Sequence, residues 1–214
     1  MGFTREYVEK NGLFLVFEGT DGAGTTTQTK MLKHSLVKKG YKVLLTSEPS
    51  TEFIGTNIRQ ILNGRIIGKD SKSIDPKTIA LLFAADRMDH LQNVILPAME
   101  KGYIVISDRY KLSSFVYQGK FTEDEPWVET VNKYAKEPDM TFFIDIDGEK
   151  AFERISRNRP SLDIFEKKEY VVDIANRYRD IFKGYKSTKL FMVDGTLAID
   201  SISRLIKNSL RTLF

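Results

Sequence analysis

The chain has 214 residues, 41% of them hydrophobic, which is enough for one domain with a sizeable core. Its 33 basic and 29 acidic residues give a formal net charge of +4, which fits a protein that binds small anions and is too weak to argue for nucleic acid. The absence of cysteine excludes disulfides and thiolate metal sites. The sequence has no signal-peptide core and no window that approaches a membrane span, so it predicts a cytoplasmic protein.

Apolar runs alternate with amphipathic segments along the chain after residues 1–12, which are polar and predict a short N-terminal extension. The apolar runs predict five strands, over residues 13–17, 41–46, 103–107, 140–146 and 190–193. The segments between them predict helices over residues 27–39, from after Gly55 to about residue 63, and over residues 76–102 with a kink at Pro97, 113–118 stopped by Gly119, 126–135, 149–156, 168–185 and 198–210. This alternation predicts a single α/β domain over residues 1–214, with helices on both faces of a five-stranded parallel sheet.

A glycine-rich loop joins the first predicted strand to the first predicted helix. Residues 19–26 read Gly-Thr-Asp-Gly-Ala-Gly-Thr-Thr, and strand, glycine loop and helix are the context of a phosphate-binding P-loop. Glycines let successive backbone N–H groups turn inward around an anion, and the helix adds free N–H groups and the positive end of its dipole. The candidate nucleotide-binding residues of this segment are Gly19, Thr20, Asp21, Gly22, Ala23, Gly24, Thr25, Thr26 and Thr27.

One position of the loop departs from the P-loop pattern. The pattern has a lysine before its Ser or Thr, and Thr25 stands at that position, so the loop brings no positive charge to the β- and γ-phosphates. Thr26 stands where the hydroxyl of the pattern ligates Mg²⁺. Without the lysine, an ordinary tight turn after a strand explains the loop about as well as a phosphate site does.

Polar residues also follow the second and third predicted strands. Glu48 follows the second strand, and Asp108 and Arg109 follow the third. Because a parallel sheet presents its ligand sites at the carboxyl ends of its strands, we expect these residues to lie together with Glu18 and Asp21. This clustering favours a ligand site more strongly than the glycine loop alone.

Four segments, in this order and spacing, resemble segments of the thymidylate kinase family, and the resemblance extends from residue 13 to the end of the chain. Residues 17–24 resemble the start of the family's P-loop, Glu48-Pro49 the end of its Arg-Glu-Pro element, and residues 83–87 its base-reading helix. Residues 108–119 contain Asp-Arg-Tyr, then Ser-Ser and Tyr-Gln-Gly, which resemble its most specific signature. The resemblance implies the three-layer P-loop NTPase fold with a short lid, and transfer of the γ-phosphoryl group of ATP to dTMP.

The resemblance implies an acceptor site for dTMP. Phe83 and Arg87 lie one helical turn apart, and the family stacks the phenyl ring on thymine and hydrogen-bonds the base with the arginine. Core packing is the alternative for Phe83. Arg109 would hold the acceptor phosphate, for which a guanidinium fork is suited, unless it forms a surface ion pair with Asp108 instead. The implied substrate-binding residues are Glu48, Phe83, Arg87, Arg109, Ser114, Tyr117 and Gln118.

The resemblance also implies ATP and Mg²⁺ as cofactors. Thr26 and Asp108 would hold Mg²⁺, Asp108 through water. Arg154 and the loop over residues 194–197 would lie near adenine. Asp21 would contact the 3′-hydroxyl of the acceptor or a water bound to Mg²⁺, and Tyr117 would crowd the 2′ position of the sugar and favour deoxyribose.

A polar stretch between two predicted helices, about residues 155–167, is where a lid would lie. In one branch of the family the lid carries the catalytic arginine, and Gly22 after Asp21 resembles that branch because the other branch has a basic residue there. The implied catalytic residues are therefore Asp21, Arg157 and Arg159. A solvated charged loop is the alternative for the two arginines.

Two departures from the family pattern leave alternatives open. Thr25 replaces the P-loop lysine and Ser47 replaces the arginine before Glu48, and losing one charged donor commonly costs roughly a hundredfold in rate. We expect a lid cation to compensate. The alternatives are a weak or inactive nucleotide-binding relative, and a kinase of another nucleoside monophosphate or of a deoxynucleoside. The resemblance implies dTMP and ATP as partners, no nucleic acid and no membrane, and a homodimer with the helix around Phe83 in its interface.

Overall fold

The computed structural model describes residues 3–158, 164–185 and 189–211. Its strands are β1 (Leu13–Glu18), β2 (Val43–Ser47), β3 (Ile104–Asp108), β4 (Met140–Asp145) and β5 (Leu190–Asp194). They form one parallel sheet in the spatial order β2-β3-β1-β4-β5. The predicted strands and the predicted α/β fold are confirmed.

Helices cover both faces of this sheet. They are α1 (Arg5–Asn11), α2 (Thr25–Lys38), α3 (Phe53–Leu62), α4 (Pro76–His90), α5 (Leu96–Glu100), α6 (Lys111–Thr122), α7 (Glu125–Val131), α8 (Gly148–Asn158), α9 (Ile164–Gly184) and α10 (Ile199–Ser209). A 3₁₀ turn spans Lys69–Ser71 and a π-turn spans Leu91–Ile95. Within the described ranges, no helix is both long enough and apolar enough to cross a membrane.

The central strand β1 is buried along its whole length, because alternate side chains pack into cores on opposite faces of the sheet. Leu13, Leu15 and Phe17 belong to one core cluster, and Phe14 and Val16 belong to another. The first cluster includes residues of α2 and α10, namely Leu32, Leu36, Ile202 and Ile206, and the second includes Leu91, Ile95 and Met99. Burial on both faces explains why the sequence of β1 reads as a continuous apolar run.

The register of the parallel strands brings three loops to one edge of the sheet. Phe17 of β1 and Ser47 of β2 both lie opposite Asp108 of β3. The glycine loop, residues 48–51 and residues 109–110 therefore leave the sheet side by side, as the clustering of polar residues predicts.

The N-terminal segment differs from the expected bare extension. Residues 5–11 form α1, which Thr4 caps by accepting a hydrogen bond from the backbone N–H of Tyr7 at 3.2 Å. Val8 is 1% exposed and belongs to the same core cluster as Leu13. One buried valine docks the helix on the domain, and a single apolar position gives no helical periodicity that a sequence pattern could reveal.

Two predicted helices have different ends in the structure. Gly119 does not stop α6, which continues to Thr122, because the glycine serves close packing: a Cβ there would lie 2.9 Å from Cγ of Glu125 in α7. The predicted helix over residues 76–102 is divided into α4 and α5 by the π-turn that precedes Pro97.

Candidate active site

The glycine loop has the backbone of an anion-binding loop. Gly22 and Gly24 have φ values of +81° and +98°, which L-residues with a side chain rarely adopt. At Gly22 a Cβ would also lie 2.5 Å from the carbonyl oxygen of Ala151 in α8. Helix α2 begins at Thr25, directly after Gly24, so its free N–H groups and dipole face the loop. The structure thus has the strand, loop and helix that the phosphate-binding interpretation requires.

A cleft of about 880 Å³ opens above this loop. Arg154 of α8 donates hydrogen bonds to the carbonyl oxygens of Gly22, at 3.4 Å, and Gly195, at 2.9 Å, and so joins the glycine loop to the loop after β5. The cleft lining includes residues 20–28 of the loop and α2, then Arg154, Arg157, Leu197 and Ile199. This placement agrees with the expected position of Arg154 beside a bound nucleotide.

The positive charge in this cleft comes from outside the glycine loop. Thr25 is 7% exposed and lines the cleft, but it is uncharged. Among the described residues of the lining, the cationic side chains belong to Arg109, Arg154 and Arg157. Among the described residues, the glycine loop therefore lacks the positive charge that a P-loop lysine would supply.

Of the two arginines that the sequence assigns to a lid, the structure describes Arg157. The Arg157 side chain is 80% exposed and its Nη2 lies 3.8 Å from a carboxylate oxygen of Glu153, one turn earlier in α8. Arg159 lies outside the described residues. An exposed i,i+4 pair of this kind contributes little to stability, so Arg157 can leave Glu153 at small cost.

A second cleft, of about 520 Å³, lies between the ends of β2 and β3 and helix α3. Its lining includes Ser47, Glu48 and Arg59. The two clefts share Thr26, Asp108 and Arg109. A group bound in one cleft can therefore meet a group bound in the other beside these three residues.

Thr26 and Asp108 form the candidate magnesium site. The Thr26 hydroxyl donates to Oδ2 of Asp108 at 2.5 Å. Oδ1 of Asp108 is buried and has no hydrogen-bond partner in the part of the chain that the structure describes. A hydroxyl and a carboxylate are hard oxygen donors that suit Mg²⁺, which takes few protein ligands and keeps phosphates and water as the others. The described residues hold no cluster of three or more His, Cys, Asp or Glu side chains that could bind a metal.

Arg109 is held by five hydrogen-bonding contacts at the end of β3. Its Nη2 donates to Oδ1 of Asp21 at 2.7 Å. Its Nη1 lies 3.4 Å from the hydroxyl of Ser113, 3.3 Å from that of Tyr117 and 3.0 Å from that of Tyr178. The Arg109 backbone has a φ of +73°, and its N–H donates to the carbonyl oxygen of Phe17 in β1. This backbone conformation turns the Arg109 side chain toward the edge that the two clefts share. The ion pair of Arg109 is thus with Asp21, and not with Asp108 as in the alternative to phosphate binding.

Glu18 is a buried carboxyl beside Arg109. Its oxygens accept from the backbone N–H of Tyr110 at 2.9 Å and of Ser113 at 3.3 Å, and from the hydroxyls of Ser113 at 2.6 Å and Tyr178 at 3.1 Å. Burial raises the pKa of Glu18 from 4.5 to about 7, although the hydrogen bonds of Ser113 and the charge of Arg109 lower it. The loss of hydration on burial therefore raises the pKa of Glu18 by more than the hydrogen bonds lower it.

Arg87 lies in a buried polar network behind the second cleft. It is 1% exposed, and its Nε donates to Oε2 of Glu48 at 2.8 Å. Its Nη1 and Nη2 each lie 3.1 Å from the Ser114 hydroxyl, and Nη1 also donates to Oδ1 of Asn132. The structure thus brings together three predicted residues, Arg87, Glu48 and Ser114, and the anionic partner that Arg87 needs is Glu48. Its contact with a base stays a prediction.

Phe83 and Gln118, the remaining predicted acceptor residues, lie near this network. In the part of the chain that the structure describes, neither of them lines either cleft. Phe83 is half-buried on α4, one turn before Arg87. Gln118 is 7% exposed on α6. Stacking by Phe83 and recognition by Gln118 stay predictions.

Sequence reasoning did not identify Arg59. It donates to the Ser47 hydroxyl at 3.3 Å and to the carbonyl oxygen of Pro49, so its guanidinium stands next to the serine that replaces the family's arginine. The available signal was Gly55, one turn earlier on α3: a Cβ there would lie 2.3 Å from the carbonyl oxygen of Ser50. The face of α3 that carries Gly55 therefore packs against the loop that contains Ser50, and Arg59 lies on the same face of the helix.

The raised pKa of Glu18 predicts how stability depends on pH. Because the folded chain keeps a proton on Glu18 that the unfolded chain loses near pH 4.5, the stabilisation is present at low pH and is lost as the pH rises through about 7. Relative to Glu18→Gln, the free energy of unfolding of the parent should fall by on the order of 3 kcal/mol between about pH 4 and pH 8. Urea unfolding at both pH values measures it. Glu153→Gln, at a carboxyl that is 64% exposed, is the control; equal pH dependence in the parent and Glu18→Gln would contradict the assignment.

Comparison with known proteins gives the family. The model of the family described as thymidylate kinase matches residues 17–206. A probable thymidylate kinase of Pyrococcus horikoshii is 40% identical over 168 residues, which cover 78% of this chain and 80% of the relative. The thymidylate kinase of Acholeplasma laidlawii is 35% identical over 206 residues, covering 92% and 98%. Matches of this extent, to a chain with a P-loop on a five-stranded parallel sheet, show that it belongs to the thymidylate kinase family.

Proposed function

We propose that this protein is a thymidylate kinase, which transfers the γ-phosphoryl group of ATP to dTMP and releases ADP and dTDP. One observation carries the proposal: the two clefts share Thr26, Asp108 and Arg109. ATP in the cleft above the glycine loop and dTMP in the cleft beside α3 would bring donor and acceptor phosphates together there. The family match supports this assignment of the clefts.

The reaction requires that the two phosphates be positioned and that their negative charge be stabilised, and it does not require a strong base. The acceptor atom is already a phosphate oxygen, so no proton has to be removed from a weakly acidic group. Arg109 is placed to bind the acceptor phosphate, with Nη2 exchanging Asp21 for a phosphate oxygen. Arg59 lines the same cleft and is available to bind a second oxygen of that phosphate.

The donor side uses the glycine loop and α2. Backbone N–H groups of residues 20–26 would receive the phosphates of ATP, and Arg154 with Leu197 would contact the adenosine part. Thr26 and Asp108 would hold Mg²⁺, which neutralises charge on the phosphates when it is bound. Asp108 accepts from Thr26 and lines both clefts, so its carboxyl would lie where the two halves of the site meet.

The base of dTMP would lie toward α4 and α6. Phe83 would stack on thymine, and Ser114 and Gln118 would face the pyrimidine together with Arg87. Because the Arg87 donors face Glu48, Ser114 and Asn132, Arg87 would bind a base only by exchanging one of these partners for it. Tyr117, whose hydroxyl lies 3.3 Å from Arg109, would stand beside the sugar and favour deoxyribose.

Release of ADP tests the proposal. The protein is mixed with ATP and Mg²⁺, with dTMP or without it, and dUMP, CMP and thymidine are run in parallel. We expect a dTMP-dependent rate of about 1–100 per second, and none with thymidine, since a nucleoside offers Arg109 no phosphate. Binding of dTMP without turnover would favour the second candidate, a nucleotide-binding relative, for which Thr25 is the supporting observation. Turnover of thymidine would indicate a deoxynucleoside kinase.

We further propose that a lid arginine supplies the charge that Thr25 lacks. Of the three cations among the described lining of the nucleotide cleft, Arg109 pairs with Asp21 and Arg154 holds two loop carbonyls, whereas Arg157 is mostly exposed. Arg159 lies two positions further along the chain. An exposed arginine such as Arg157 can approach the transferring group when both nucleotides are bound.

Arg159→Ala and Arg157→Ala test this. Because a charged donor to the transition state contributes roughly a hundredfold or more in rate, at least one variant should lose that much kcat with little change in KM for dTMP. Arg204→Ala removes an exposed arginine of α10 and is the matched control. An unchanged kcat in the double variant would rule out compensation by these arginines.

We also propose that the protein is a homodimer located in the cytoplasm. Large apolar side chains are exposed on α3, on α4 and on the segment between them. They are Phe53, Leu62, Ile67 and Leu81, with exposures of 82%, 59%, 57% and 50%. Helices α3 and α4 pack on each other, and exposed apolar side chains on neighbouring helices favour an interaction site, which a second copy of the chain would cover.

Light scattering after size exclusion tests the dimer. The parent should have about twice the chain mass of 24.6 kDa. Phe53→Glu combined with Leu81→Glu should halve the measured mass, because charged groups would be buried without partners. Tyr134→Glu, at a tyrosine that is 77% exposed beyond α7, is the control and should remain dimeric. A monomeric parent would contradict the proposal.

A further inference from the structure

The orientation of Arg109 depends mainly on hydroxyl groups. Its Nη1 contacts the hydroxyls of Ser113, Tyr117 and Tyr178, and among the described residues the carboxylate that it contacts directly is Asp21, whose side chain is 64% exposed. The buried carboxyl in this region, Glu18, reaches Arg109 through intervening hydroxyls. A guanidinium held in this way keeps its charge available to a ligand, because within the described residues no buried carboxylate accepts a hydrogen bond from it directly.

Tyr178 links the two groups from a distant element. It lies on α9, 69 positions after Arg109 in the chain, and is 2% exposed. Its Oη lies 3.0 Å from Nη1 of Arg109 and 3.1 Å from Oε2 of Glu18. Burial raises the pKa of Tyr178 well above its ordinary value, so the hydroxyl keeps its proton. It can therefore accept from Arg109 and donate to Glu18 at the same time.

Ser113 forms a second, parallel link. Its hydroxyl donates to Oε2 of Glu18 at 2.6 Å and lies 3.4 Å from Nη1 of Arg109. It also lies 2.7 Å from Oη of Tyr178, so the two hydroxyls are in contact. Either hydroxyl can donate to the other or to Glu18. When Glu18 is ionised, a hydroxyl that donates to its carboxylate turns its lone pairs toward Arg109.

We propose that Tyr178 and Glu18 are positioning residues for the acceptor phosphate: Glu18, through the hydroxyls of Tyr178 and Ser113, holds Arg109 in the orientation that receives the phosphate of dTMP. The inference rests on the proposed role of Arg109 as the phosphate ligand. It assigns to α9, which contributes no motif to the site, a direct part in substrate affinity.

Core packing is the competing role for Tyr178. Its ring stacks on Phe143 with centroids 5.7 Å apart, and meets Tyr117 edge-on at 6.1 Å. Tyr178→Phe keeps both ring contacts and removes only the hydroxyl. A packing role therefore predicts unchanged ligand affinity in this variant, and a positioning role predicts a specific loss.

Calorimetric titration of Tyr178→Phe with dTMP, thymidine and ATP separates the two roles. A hydrogen bond to a charged group commonly changes affinity by roughly tenfold or more, so we expect a roughly tenfold loss for dTMP. Thymidine and ATP should bind as they do to the parent, because neither places a phosphate against Arg109. Ser113→Ala should show the same selective loss, and the double variant should lose less than the product of the two, because both links end on Arg109 and Glu18.

Tyr185→Phe is the matched control. It removes a hydroxyl that also bonds a carboxylate, Glu137, at 2.9 Å, but lies outside the Arg109 set, so dTMP affinity should be unchanged. Unchanged dTMP affinity in Tyr178→Phe, or an equal loss for dTMP and thymidine, would overturn the inference. If the parent itself bound thymidine as tightly as dTMP, the role of Arg109 would fail and the inference with it. A parent that prefers dTMP but does not turn it over would contradict the proposed reaction and leave this test valid.

Discussion

The parallel pairing of β1 with β3 determines where phosphate chemistry can occur in this protein. It sets Phe17 opposite Asp108, so the glycine loop and the segment after β3 leave the sheet as neighbours. The contact between Thr26 and Asp108 and the hydrogen bond from the backbone of Arg109 to β1 both follow from this register. A slip of one residue would reverse the alternation of every side chain on the strand and separate these groups. Both clefts therefore meet at a point fixed by the core.

Several elements bring positive charge to the two clefts, and the glycine loop brings none. Arg109 comes from the end of β3, Arg59 from α3, and Arg154 from α8, while Thr25 occupies the lysine position without charge. Each arginine must then be oriented by its own surroundings. For Arg109 these are a set of hydroxyls backed by Glu18, a buried carboxyl whose pKa is raised by the loss of hydration on burial.

Features formed by neighbouring residues could be predicted from the sequence, whereas contacts between residues far apart in the chain could not. The strands could be predicted because burial on both faces makes each one a continuous apolar run, and the glycine loop because its residues are adjacent. Arg87 could be expected to have an anionic partner, but that Glu48, 39 positions earlier, supplies it needed the fold. The contact between Tyr178 and Glu18 joins positions 160 residues apart, and no spacing in the sequence marks it.

The most direct measurement is a crystal structure of the protein with dTMP, Mg²⁺ and a non-hydrolysable analogue of ATP. The account predicts dTMP in the cleft beside α3 with its phosphate on Arg109, and the analogue above the glycine loop with its terminal phosphate beside Thr26 and Asp108. It also predicts that the hydroxyl of Tyr178 remains on Arg109 in the complex. A dTMP phosphate bound away from Arg109, or both nucleotides in one cleft, would contradict the claim that the two clefts meet to transfer a phosphoryl group.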